Sequence, residues 1–223
     1  MMLEAIIQGE TDVTVLADMA QKRLKNKKDE LKLALEGNLG RHQIIMFEKK
    51  QLEHIDYSNG LIQELDDEID LRMEPCTEEI QLLDTIPGVN KRTAQLILAE
   101  VGTDMSRFPT AGHLCSWAGM TPGHDESAGK KRSAKTRKGN KKLRSALVES
   151  ARAAAKKKET YLASQYHRIA ARRGKNRAAI SVGHTILRIV YLMLTRKQAY
   201  IELSADYYDK RKKDILIKST QKG

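Results

Sequence analysis

Cysteine is almost absent from the 223 residues: Cys76 and Cys115 are the only two, far apart and with no histidine at zinc-ligand spacing. This excludes a disulfide scaffold and a CxxC metal site, and a reducing cytosol becomes the expected compartment. Long apolar runs are also absent. None approaches the ~18 residues of a membrane span. The opening MMLEAIIQGETD lacks the basic stretch and apolar run of a signal peptide, so no membrane partner is expected. Aromatic residues make up only 4%. No segment alternates apolar and polar residues as a half-buried strand does, so the expected fold is mainly α. The histidines at 42, 54, 113, 124, 167 and 184 show no HxxxH or HxxE spacing, so no metal site is expected in this chain. His184 falls in an apolar helical pattern and reads as a packing residue.

Charge, by contrast, is abundant and polarised. Residues 1–100 carry 12 Lys+Arg against 20 Asp+Glu, a net of −8, while residues 101–223 carry 28 against 9, a net of +19. A basic half of that strength predicts a polyanionic partner, DNA above all, for the C-terminal part of the chain.

Periodicity divides the chain at about residue 75, giving a helical connector over 1–75 and a second domain over 76–223. Val13, Leu16, Ala20, Leu24, Leu31 and Leu35 keep to one stripe and predict a first long helix. Gly37-Asn38-Leu39-Gly40 predicts a turn. Ile45, Leu52, Ile55, Ile62, Leu65, Ile69 and Met73 predict a second long helix. Ile55, Ile62 and Ile69 are seven apart, as in a coiled-coil seam. A long helical hairpin or coiled coil results, with self-association through residues 13–73 expected, and an arm of an ordinary bundle as the plainer reading. Glu74-Pro75 ends the second helix. Beyond it, Leu82–Ala94 runs through Ile86-Pro87-Gly88-Val89 into the apolar helix Gln95–Val101, the pattern of a helix-hairpin-helix. The turn amides around Gly88, with Lys91 and Arg92, are candidates to hold a phosphate; a plain helix corner is the alternative. A short helix from Thr110 to Ala118 follows, and helices dominate from Asn140 onward. Trp117 reads as a core anchor before a base-stacking platform. Arg172-Arg173-Gly174-Lys175 either extends a phosphate track or closes a solvated helix end with its glycine stop.

The segment DESAGKKRSAKTRKGNKKLR, from Asp125 to Arg144, has nine basic residues after Lys130 is reached and no acid after Glu126. With Gly129 and Gly139 and few apolar groups, it predicts an exposed, mobile arm fixed at both ends. Lys130, Lys131, Arg132, Lys135, Arg137, Lys138, Lys141 and Lys142 are its candidate phosphate contacts. Ser127 opens this arm. A serine attacks a phosphodiester only if its proton is removed and cations stabilise the crowded phosphorus. Lys130, Lys131 and Arg132 are such cations, whereas the base is left open among Glu126, His124 and an external metal.

IPGVNKRTAQLILAEVG, then RFPTAGHLCSWAGMTPGHDESAGKKRSAKTRKGNKKLRSAL, then YLASQYHRIAARRGKNRAAISVGHTILRIVYLML together resemble the C-terminal domain of transposases of the insertion sequence 110 family. These are also called DEDD transposases and include the bridge-RNA-guided recombinases. The likeness covers roughly residues 80–210, and the residues before it resemble the family's coiled-coil connector. The resemblance implies a two-part active site: a carboxylate domain that binds magnesium, and a serine in an Glu-Ser-Ala-Gly motif that maps onto Ser127. That serine would form a covalent phosphoserine with DNA and free a 3′-hydroxyl. Asp125 stands where such members often have Asn. The implied partners are DNA, a guide RNA and a second copy of the chain. No strand pattern for a carboxylate domain occurs in residues 1–75, so a truncated frame or a fragment is expected, with magnesium implied only for the missing domain. The expected activity is DNA strand cleavage and transfer. The alternative is a non-enzymatic DNA-binding remnant that dimerises with, or inhibits, a full-length transposase.

Overall fold

A computed structural model of the chain describes residues 2–36, 49–122, 125–127, 130–133, 136, 138–208 and 210, with 125–127 and 130–133 described by their backbone. It divides into two compact units, residues 1–72 and 73–223. The fold is mainly α.

In the first unit the stripe from Val13 to Leu35 does not form one helix. It is broken into α2 (Val13–Asp18), a 3-10 segment (Lys22–Lys27) and α3 (Lys28–Leu35), preceded by α1 (Met2–Ile7). The cause is local. The Asp12 carboxylate accepts from the amides of Thr14 at 2.7 Å and Val15 at 3.3 Å and so starts α2. Lys22 then takes φ +52°, a left-handed value that no helix interior permits. Leu16, Ala17 and Ala20 are nevertheless buried, with Ile6 beside them at the edge of a small core. Lys28 ties α3 back to Asp18 at 2.7 Å. The turn expected at Gly37–Gly40, and Ile45, lie outside the described residues. The second long helix is present as α4 (Lys50–Met73), 24 residues with none buried. Ile55 and Ile62 of its seam are each 53% exposed.

Pro75 sits in a 3-10 turn (Glu74–Cys76) that closes α4. The second unit then runs α5 (Thr77–Asp84), α6 (Lys91–Val101), α7 (Ala111–Trp117), β1 (Asp125–Ser127), β2 (Lys130–Ser133), α8 (Lys141–Ala154), α9 (Tyr161–Arg173) and α10 (Lys175–Arg196). Side-chain oxygens cap four of these helices: Asn90 on α6, Thr110 on α7, Asn140 on α8 and Thr160 on α9. The centre is α10, whose Ala179, Val182, Ile186, Leu187 and Val190 are fully buried. Its 22 residues are long and apolar enough to cross a membrane by length and composition, but half of that stretch is packed inside this domain. Gly183 allows the close approach of α8: a β-carbon there would lie 3.1 Å from the Leu147 carbonyl oxygen and 2.9 Å from the Met120 methyl. Each buried leucine or isoleucine contributes about 1.5–3 kcal/mol of hydrophobic stabilisation, so this layer holds the domain.

One expectation is corrected here. The basic segment after Pro122, where no strand was expected, contains two: β1 and β2 pair antiparallel, with Asp125 opposite Ser133, Glu126 opposite Lys131 and Ser127 opposite Lys130. A register shift falls between Asp125 and Glu126, as at a β-bulge. Backbone pairing of this kind needs no apolar alternation in the sequence.

Candidate nucleic-acid interface

The root of the hairpin is set by two glycines. A β-carbon on Gly139 would stand 2.3 Å from the Gly119 nitrogen and 2.5 Å from the Ala118 carbonyl carbon. Gly119 itself takes φ +70°, which favours glycine. Above this contact Pro122 bridges Thr136, then the β1–β2 ladder continues to Ser127 and Lys130. The candidate nucleophile therefore ends the first strand, and Lys130, Lys131 and Arg132 lie in the strand opposite. The sequence had placed these residues together only by proximity along the chain; the pairing makes them neighbours across a ladder. Lys135 and Arg137 lie outside the described residues, as does His124.

From the root the chain enters α8. Asn140 does two things there: its side-chain oxygen accepts from the Leu143 amide at 3.0 Å, and its amide nitrogen donates to Glu100 of α6 at 2.5 Å. One residue thus starts α8 and fixes its N-terminus to α6. Lys138, Lys141 and Lys142 are exposed at this start, where helix amides and lysines together favour an anion. Further along, Lys141, Arg144, Ser145, Val148 and Arg152 recur at helical spacing and line a shallow groove, with Asn176 and Ile180 of α10 as its other wall. Arg144 and Arg152 were not among the candidate residues read from the sequence. Their signal was available: spacings of three and eight from Lys141 and Arg144 put them on one face once α8 is recognised. Arg172, Arg173 and Lys175 are exposed around Gly174, which takes φ +84° between α9 and α10.

Gly88 lies in the turn between α5 and α6. Its φ is +91°, and a β-carbon there would lie 2.3 Å from the Ser150 carbonyl oxygen and 2.6 Å from the Ala154 nitrogen. The turn between α5 and α6 packs on the backbone of α8, with Ile86 and Val89 buried. That contact alone explains the glycine. Lys91 and Arg92 are exposed in the first turn of α6.

Trp117 corrects the core-anchor reading. It is 44% exposed, with one flank against Phe108 at 5.7 Å between ring centroids and 57° between planes. Cys115, on the inner face of the same helix, is fully buried, and burial pushes its thiol up to about 11; it is no nucleophile. Burial likewise lowers the pKa of His184, in keeping with packing and not catalysis. Among the described residues no three His, Cys, Asp or Glu side chains come together to hold a metal ion. The donors described here do not fit a magnesium site.

Residues 80–168 match the family described as Transposase IS116/IS110/IS902. The transposase for insertion sequence element IS1111A of Coxiella burnetii is 32% identical over 133 residues, 56% of this chain and 35% of that protein. The pilin gene-inverting protein of Moraxella bovis is 39% identical over 101 residues, 43% of this chain and 31% of its own length. An insertion element IS110 protein of Streptomyces coelicolor is 51% identical over 41 residues, 18% of this chain and 10% of that protein. The chain thus spans about a third of the length of the first two relatives.

Proposed function

Because residues 80–168 match the IS116/IS110/IS902 transposase family, we propose that this chain is the DNA-binding and serine-bearing part of a recombinase. The observation that carries the reading is the hairpin: Ser127 closes β1 directly opposite Lys130, and the glycine-tight root delivers both strands onto the lysine-rich start of α8. DNA phosphates are the ligand such a surface suits, bound electrostatically and without regard to sequence.

In the proposed chemistry the Ser127 hydroxyl oxygen bonds to phosphorus while the bond from phosphorus to the 3′-oxygen breaks. The serine loses its proton and the departing oxygen gains one, so a phosphoserine and a free 3′-hydroxyl result with no oxidant or further reactant. Lys130, Lys131 and Arg132 supply the positive charge that stabilises the transition state. A guide RNA is a proposed second polyanion for the same basic half, on its net charge of +19. The uncovered seam of α4 supports a second copy of the chain as a further partner.

The test is a chimera in which these residues replace the matching segment of a full-length relative. It is expected to form a covalent protein–DNA adduct that Ser127→Ala abolishes while DNA binding persists. An adduct that survives Ser127→Ala moves the nucleophile to Ser133 or Thr136, and a chain that binds no duplex DNA at low salt overturns the reading altogether.

A further inference from the structure

Trp117 is the one tryptophan of the chain, and its surroundings are unlike those of a residue left outside by chance. Its helix buries Leu114 and Cys115 completely, so α7 is firmly seated and the indole is held, not loose. Phe108 supports one flank, and Phe108 is fixed in turn by the Tyr191 hydroxyl, which donates to its carbonyl at 3.0 Å. The residue is 44% exposed. The next two residues, Ala118 and Gly119, are those that Gly139 touches. Trp117 thus lies two residues before the Gly119–Gly139 contact at the root of the basic hairpin, and the exposed Lys138 and Lys141 lie one residue before and two residues after Gly139.

A rigid aromatic face beside lysines is what an unpaired nucleobase requires. The ring stacks on the base, and the cations neutralise the phosphates on either side. In a duplex the base faces are covered by their neighbours, and an indole approaching from outside meets only the groove or backbone. We propose that Trp117 is a stacking platform for an unpaired base of single-stranded nucleic acid, with the flanking phosphates on the lysines at the hairpin root. This rests on the nucleic-acid-binding reading above and adds to it the strand state of the ligand and the residue that senses it.

The chain reports on the proposal by itself, since emission excited at the red edge of indole absorption comes from Trp117 alone. The full chain is titrated with fluorescein-labelled oligothymidylate, oligouridylate and a duplex of equal length, reading oligonucleotide anisotropy and tryptophan emission together. Quenching of Trp117 by the single strands but not by the duplex is expected. The two single-stranded arms tell whether DNA or RNA is the better source of the base. Trp117→Ala should weaken single-strand binding by roughly 5- to 150-fold, the equivalent of one lost stacking contact, with Trp117→Phe in between. Anisotropy that rises while emission stays constant overturns the stacking proposal and leaves the DNA-binding reading standing. So does equal quenching by the duplex. No rise in anisotropy with any of the three overturns both. The emission of the unmutated chain keeps the test decisive even if Trp117→Ala fails to fold.

Discussion

Gly139 rests on Gly119: a β-carbon on the first would lie 2.3 Å from the nitrogen of the second. Two residues twenty apart in sequence thereby close the loop that carries Ser127, and every rung of the hairpin from Pro122–Thr136 to Ser127–Lys130 is built above that contact. The colliding atoms are backbone, which cannot turn aside as a flexible side chain can. Gly139→Ala should therefore cost about 1–3 kcal/mol, as overpacking does. A urea titration measures it. The same variant should bind duplex DNA more weakly although no charge has changed; a stability and an affinity equal to those of the parent would remove the glycine contact from the account.

The groove along α8 predicts an electrostatic effect independent of the hairpin. If Arg144 and Arg152 each neutralise a phosphate, replacing both with Gln should reduce the slope of log affinity against log salt by about 1.8. Lys50→Gln, on α4 and paired with Glu53, should leave the slope alone. An unaltered slope in the double variant would confine phosphate binding to the hairpin and the start of α8.

Self-association is expected through α4. Ile55 and Ile62 are half exposed and seven residues apart on a helix that buries none of its residues against the other described ones, the arrangement that a second copy buries in a coiled coil. Sedimentation equilibrium of the full chain should show a species larger than one chain, and Ile55→Asp with Ile62→Asp should return it to a monomer. A parent chain already monomeric at micromolar concentration would dismiss the seam as an interface.

Acid sensitivity should arise in part at Glu79. Its carboxylate is held below the ordinary range, chiefly by the hydrogen bond that Lys197 donates to it. A depressed carboxylate stabilises the fold above the unfolded value and loses that contribution as pH falls through the folded one. Lys197 is largely exposed, so the pair is worth about 0.5–1 kcal/mol at most. Lys197→Gln should thus lower stability near neutrality by that amount, and the gap from the parent should close in acid below the carboxylate range. A gap that is constant with pH would assign the loss to something other than this pair, such as the left-handed conformation of Lys197.

Much of the helical architecture was legible in the sequence because it is encoded by short-range chemistry. Pro75 ends α4, Asn140 begins α8 with its own side chain, and Gly174 joins α9 to α10 at a positive φ. The apolar helical pattern around His184 corresponds to α10. The tertiary structure decided the rest. The periodicity from Val13 to Leu35 passes through a chain break, because side-chain spacing does not register a single left-handed residue at Lys22. Trp117 looked like a core residue by type, yet its exposure depends on what packs above it, and Phe108 covers only one flank. The hairpin left no trace in the pattern of apolar residues, since backbone pairing between strands does not require one. What fixes them is contact between residues distant in sequence, Gly119 with Gly139 and Pro122 with Thr136, and such pairings are settled only when the chain has folded.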